Sequence, residues 1–388
     1  MAATATTALR ALLVRRNEEL LRNMALLTDL LQNAQVLPEA KPYQQYLLSR
    51  CIEQLRNAAL KNLAVLQLKR DDVLDDVLSD TRVVISWAHR WVPRLVSPVL
   101  RSSESDRLCL SIISWMHKEH RETSVYPPAF VDGTAAIWPF TSFAPVYVFP
   151  SVEQRGLLYL PLLFHEKGHL LYNCHQPEMD DLVAELQRAI ANALIPLNLR
   201  NDRHEEQQVL TQKIVVHTWY DWIQELFCDT VGLTIGGPCF LEAFASYLGT
   251  LTSSDFHLPK AALAHSSHPP TWLRVQMLAE RAVEVGYTEL AVRVQCEWRE
   301  LAYTLVVEED YYGYYQDSMA DMVRSTIDDM LVEASPREHT AAQAQGGAWD
   351  PHTDSPVRLL NWAWQLYEAN ADSYPQWEKE QIRILLDS

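Results

Sequence analysis

Apolar positions recur at helical spacing along most of the chain. Leu12, Leu13, Leu20, Leu21, Leu27, Leu30 and Leu31 follow the three- and four-residue steps of one helix face. After a break between Pro38 and Pro42 the same period resumes over residues 46–68. Further helices are predicted over 72–91 and 104–117. Between 122 and 151 the pattern changes: Pro127, Pro128, Gly133, Pro139, Pro145 and Pro150 interrupt the helices. There Val146–Phe149 reads as a short apolar strand, the single segment with a convincing strand signal. Helical spacing then returns over 157–172, 179–195 (stopped by Pro196), 205–235, 239–248 and 270–285. Residues 334–347, rich in Gln and Ala and ending in Gly346-Gly347, predict a loop or disordered linker. The stretch 356–386, with Trp362, Trp364, Tyr367 and Trp377, predicts a helix that packs back onto the body. No internal repeat is visible.

The pattern predicts a mainly α fold with a small β-sheet. It divides into a helical N-terminal region over 1–121, a central region over 122–290 and a helical C-terminal region over 291–388.

Composition alters this picture little. The 388 residues are 48% hydrophobic and 21% charged, ordinary for a globular chain. No apolar run approaches the roughly eighteen residues of a membrane span. Residues 1–16 are free of acids and carry Arg10, Arg15 and Arg16, as a transit peptide would. Glu18 and Glu19 follow at once and the leucine period runs on, so a first helix is the expectation. The six cysteines are scattered without a C-x-x-C pair, which predicts buried thiols in a reducing compartment, the cytoplasm.

Charge changes it more. The net charge is −17, with residues 1–150 near balance and residues 151–388 holding 16 basic against 35 acidic side chains. So acidic a portion repels phosphate backbones, and nucleic acid is not an expected partner. The cluster Asp71, Asp72, Asp75, Asp76 and Asp80 sits where a helix begins and reads as a dipole-favoured, solvated face.

Candidate chemistry concentrates in His165-Glu166-Lys167-Gly168-His169. On a helix, residues i and i+4 share a face, so both imidazoles reach one ion while Glu166 flanks them. With 13 His and 27 Glu in the chain, random order would produce this pentapeptide only about 0.03 times. Two histidines plus one further protein ligand leave a zinc ion an open position, where bound water becomes acidic near pH 7. Glu166 is then placed to take that water's proton and return it to a leaving group.

Two residues compete as the third ligand. Glu225 lies in Glu225-Leu226-Phe227-Cys228-Asp229, where a second carboxylate one turn on can orient a ligand imidazole. Asp221 and His217 extend this polar stripe. His175 offers the alternative, six residues beyond His169, the metzincin spacing. That arrangement needs a glycine at the turn, where this chain has Tyr172, which tolerates positive φ poorly. The reading favours Glu225.

His268-Pro269-Pro270-Thr271-Trp272-Leu273-Arg274 opens another helix, with His268 at its edge. The ordered set of His165–Glu166–His169, Glu225–Asp229 and His268…Arg274 resembles the signature of gluzincin zinc metallopeptidases, closest to the CAAX-processing endopeptidase group and its soluble relatives. The resemblance covers residues 163–274. It implies a zincin-like catalytic domain with helical flanks. One zinc ion per chain would be held by His165, His169 and Glu225, with Glu166 as general base. Asp229 would orient a ligand histidine, His268 would stabilise the oxyanion and Arg274 would support the carboxylates. It further implies a peptide or protein substrate, with Val146–Phe149 as an edge strand pairing with it.

The chain departs from that family in two respects. It lacks the membrane helices of the prenyl-processing members, so neither a membrane nor a lipidated substrate is implied. It also carries Cys228 where a small residue is usual, read here as a plain buried cysteine. The rival function is a catalytically inactive, zincin-like scaffold, and the helical flanks suit a protein partner under either reading.

Three lesser features complete the set. His117 and His120 read as surface residues. His257 and His265 fall in a loop near the site. The run from Tyr311 to Tyr315 reads as a turn packed against a helix, with a peptide- or sugar-stacking surface as the alternative.

Overall fold

The protein is described here from a computed structural model covering residues 2–138, 144–194, 204–250, 256, 258–307 and 311–387; for 2–4 and 204–211 it describes the backbone alone. The fold is mainly helical with a three-stranded sheet. None of its helices is long and apolar enough to cross a membrane among the described residues. The chain forms two compact units, one from residues 1–117 with 124–150, the other from 118–123 with 151–388.

The first unit is built on α1 (Ala2–Gln32), α2 (Lys41–Tyr46), α3 (Glu53–Gln67), α4 (Leu74–Leu100) and the start of α5 (Arg107–Glu119). Leu20, Met24 and Leu31 of α1 bury against Leu55 and Ala59 of α3 and Leu95 and Val99 of α4. Inside this apolar seam lies one polar knot. Asn17 Nδ2 donates to Leu13 O (2.9 Å) and to Thr81 Oγ1 (3.0 Å), and Asn62 Nδ2 reaches Asn17 Oδ1 and Thr81 Oγ1, each at 3.3 Å.

Helix α4 outruns its expected end at Trp91 and continues through Pro93 and Pro98. An interior proline costs about 3 kcal/mol. Val92, Leu95, Val96 and Val99 are all buried on this extension, and about 1.5–3 kcal/mol for each, roughly 6–12 kcal/mol together, offsets the roughly 6 kcal/mol of the two prolines.

The sheet of this unit holds three strands: β1 (Phe130–Asp132), β2 (Ala136–Trp138) and β3 (Val146–Phe149). Their order is β1-β3-β2, with β3 parallel to β1 and antiparallel to β2, and Tyr147 faces Phe130 on one side and Ile137 on the other. Val146–Phe149 is therefore the central strand. Both of its edges are already paired, which removes it as an edge for an extended peptide. The two outer strands are three residues each, too short for a period-two pattern to register.

His117 and His120 are buried rather than exposed, because each ring finds polar partners inside. His117 bridges Tyr126 O and Tyr147 Oη at 3.0 Å each, in the first unit. His120 belongs to the second, where its Nε2 accepts the Arg337 amide at 3.0 Å.

The second unit centres on α6 (Leu163–Cys174) packed against α8 (His204–Gly236), with α7 (Gln176–Leu194) and α9 (Pro238–Gly249) beside them. The short α10 (Lys260–Leu263) precedes α11 (Thr271–Glu284). Two helices follow that the sequence pattern did not bring out, α12 (Thr288–Leu305) and α13 (Ala320–Ala334). The buried stripe of α12 is Ala291, Val294, Trp298 and Ala302, and its alanines weaken the apolar signal.

Most of residues 335–347 form the loop that the sequence predicts, and the loop is tied to the body by hydrogen bonds. His339 donates from its amide (3.0 Å) and its Nδ1 (2.8 Å) to Thr234 O, and its Nε2 bonds Tyr287 Oη. Gly237, at φ +65°, leaves room for that ring: a Cβ there would lie 2.8 Å from His339 Nε2. The short α14 (Ala341–Ala344) carries a capping box from Thr340 and Gln343.

The end of the chain packs back as two helices, α15 (Pro356–Ala369) and α16 (Tyr374–Asp387). Trp364 Nε1 donates to Leu158 O (2.8 Å) and Glu378 Oε1 accepts the Leu157 amide (2.6 Å), so both hold the loop that leads into α6.

Candidate metal centre

Helix α6 presents His165 and His169 one turn apart, their ring centroids 4.9 Å from each other and the rings nearly perpendicular. Helix α8 presents Glu225 and Asp229 on the facing turn. The two helices approach closely because α6 has Gly168 at the crossing, where a Cβ would lie 2.7 Å from Cys228 Cα. Cys228 is fully buried against that glycine, and burial pushes its thiol well above the ordinary range.

His165, His169 and Glu225 converge: one ligand atom from each lies within 4.8 Å of the others. His165 Nε2 is 3.5 Å from Glu225 Oε2, and His169 Nε2 is 3.4 Å from Glu225 Oε1. Three such donors brought this close leave room for a metal ion between them. Glu225 Oε2 is buried and makes no well-aligned hydrogen bond; the Arg274 guanidinium, 3.3 Å away, is the cation that faces it.

The supporting shell is anionic and held from behind. Arg274 grips Asp229 through Nε–Oδ2 (2.8 Å) and Nη2–Oδ1 (2.7 Å), and its Nη2 lies 3.3 Å from Glu225 Oε2. The guanidinium sits 5.0 Å from the centre of the Phe244 ring. Asp229 Oδ1 is 2.8 Å from His165 Nδ1, off the line of an ideal hydrogen bond, and faces the ring nitrogen turned away from the cluster.

Electrostatics follow from burial and from these pairs. Burial works against ionising both carboxylates, yet Arg274 and the histidines hold Glu225 and Asp229 below the usual range. Burial lowers His169 to about 4, leaving its imidazole neutral. For His165 burial acts the same way, but Asp229 and Glu225 overcome it and raise the ring's pKa. Glu166, also buried, is pushed up to about 7 by desolvation.

His268 stands at the open side. Its side chain is 58% exposed, and its Nε2 lies 3.5 Å from Glu225 Oε2. Its loop is pinned by Trp222 Nε1 donating to Ser266 O (3.1 Å), by Ser266 Oγ donating to His268 O (2.6 Å) and by Ser267 Oγ 2.9 Å from His268 Nδ1.

His175 does not join the group. It caps α6, where its Nδ1 faces Glu333 Oε1 at 3.2 Å. Tyr172 is helical and no glycine turn follows, so the chain enters α7 instead of folding back toward the histidines. His217 and Asp221 are exposed, since each four-residue step along α8 drifts about 40° further from the Glu225 direction. His265 is exposed, and His257 lies outside the described residues. The Tyr311–Tyr315 turn packs on helices, with Trp219 Nε1 donating to Tyr314 O (2.7 Å) and Tyr311 Oη to Gln276 Oε1 (3.0 Å).

No family model, curated protein or solved structure matches the chain.

Two contributors escaped the sequence reading. Phe244, beneath Arg274, sits on an all-apolar face and carried no distinguishing signal. Lys167, within the motif itself, is fully buried with Nζ bonded to Thr123 Oγ1. Its place between His165 and His169, on a helix packed on both sides, was the available clue.

Proposed function

We propose that the protein is a zinc-dependent endopeptidase of gluzincin type, one ion per chain. The observation that carries this reading is the convergence of one ligand atom each from His165, His169 and Glu225, with the Arg274–Asp229 pair behind. Glu166 lies on the same helix, between the two histidines in sequence, and a merely structural site needs the ligands but not that carboxylate.

When bound, the ion would polarise both a water molecule and a peptide carbonyl. Glu166 accepts the water proton and delivers it to the departing amine, so its carboxylate ends the cycle as it began. Asp229 fixes the tautomer and direction of His165, and Arg274 keeps Asp229 ionised and in place. His268, at the open side, donates to the oxygen on which charge develops. The acidic 151–388 portion favours basic or neutral peptide segments over acidic ones.

Metal content and peptidase activity test this together. Wild type should hold about one zinc per chain, Glu225→Ala should lose it and His175→Ala should keep it. Glu166→Gln should retain zinc while cleavage of a denatured-protein substrate falls by a factor of about 10²–10⁴. Zinc binding with no Glu166-dependent cleavage would favour the inactive scaffold. No zinc in wild type after metal addition would remove the proposal.

A further inference from the structure

The outer face of α4 and the residue that caps it carry Arg82, His89, Arg90, Arg94 and Arg101, all exposed. No Asp or Glu occurs between residues 81 and 101. Among the described residues none of the four arginines pairs with a carboxylate, although most other arginines of the chain do. At 100° per residue, Arg90, Arg94 and Arg101 fall within a stripe about 40° wide, roughly 6 and then 10 Å apart along the axis.

Aromatic rings hold this stripe in place. The Arg94 guanidinium lies 5.1 Å from the centre of the Trp91 ring and 5.4 Å from that of Trp138, and Arg90 lies 5.5 Å from Trp91. A guanidinium between two indoles loses little side-chain entropy when it binds, and among the described residues no carboxylate takes its N–H groups, which can meet an oxyanion. Cations ordered but not neutralised are suited to an anionic partner rather than to stability of the fold alone.

We propose that this face of α4 docks an acidic helical segment of a partner protein, with carboxylates spaced four and then seven residues apart. Charge complementarity argues for an anion, and the aromatic geometry argues against nucleic acid. Both indoles already stack on arginines, so they are not free for bases.

The test is fluorescence anisotropy on the full chain with a labelled helical peptide bearing glutamates at that spacing, and the same peptide with glutamines. The glutamate peptide should bind at least about tenfold more tightly, and the difference should shrink as salt rises. Arg94→Gln should weaken it about tenfold and Arg90→Gln by less, with Arg94→Lys intermediate because the stacked fork is lost while the charge remains. Arg299→Gln, an exposed arginine of α12, should leave binding unchanged. Equal affinity for both peptides, no binding of either, or tighter Arg94-dependent binding of a short DNA duplex would overturn the proposal.

Discussion

Gly168 decides how near two helices can come. Alanine at this position would place a methyl group against the Cys228 backbone, which cannot yield without moving α6 or α8. Gly168→Ala should therefore destabilise the second unit by about 1–3 kcal/mol, read from the urea midpoint at unchanged m-value. It should also weaken the proposed metal binding, since the same shift carries His165 and His169 away from Glu225. Wild-type stability and zinc affinity in this variant would show that the helices have slack. At this scale much was legible. His165, His169, Glu225 and Asp229 stand together because i and i+4 positions on two facing helices have little choice, and Arg274 reaches them from α11. The burial of His117, His120 and Lys167 was not legible, since it depends on hydrogen-bond partners distant in sequence.

Elements follow pattern until tertiary burial overrides it, as α4 does by running through two prolines. Conversely, residues 335–347 lack a periodic face yet are fixed by His339 bonding to the end of α8. Composition could not distinguish that from a free linker. Packing of α1, α3 and α4 shows a further layer of specification. The Asn17–Asn62–Thr81 knot is satisfied only in one register of the three helices. Asn17→Ala would leave the Asn62 and Thr81 groups short of a partner in an apolar seam. A loss of about 2 kcal/mol in denaturant unfolding of the first unit is expected. A loss below about 0.5 kcal/mol would mean that water already enters the seam.

Across the whole second unit, helices distant in sequence are joined by Arg293 of α12, which contacts Glu242 of α9 and, at 2.7 Å, Glu368 of α15. Burial, and then the nearby Glu368, raise Glu242 to about 7 despite Arg293. The folded protein thus holds a proton there that the unfolded chain, with an ordinary Glu pKa near 4.3, has released. Stability from this group is greatest in acid and falls as pH rises from about 4.5 to about 7. Glu242→Gln should match wild type near pH 4.5 and exceed it above pH 7 by on the order of 2 kcal/mol, measured by urea unfolding at both pH values. A variant whose advantage does not change with pH would show that Glu242 is ionised throughout.

The bond between Glu378 and the Leu157 amide spans 221 positions of the chain. Read in order of synthesis, that separation becomes a delay. At about 5–20 residues per second, the ribosome makes the loop before α6 roughly 10–45 s before it makes the helix that clasps it. During that interval the His165–His169 pair of α6 lacks its final anchor. Metal capture or chaperone contact in this window can precede the finished fold, and ribosome-bound chains stalled before Tyr374 offer a way to observe it.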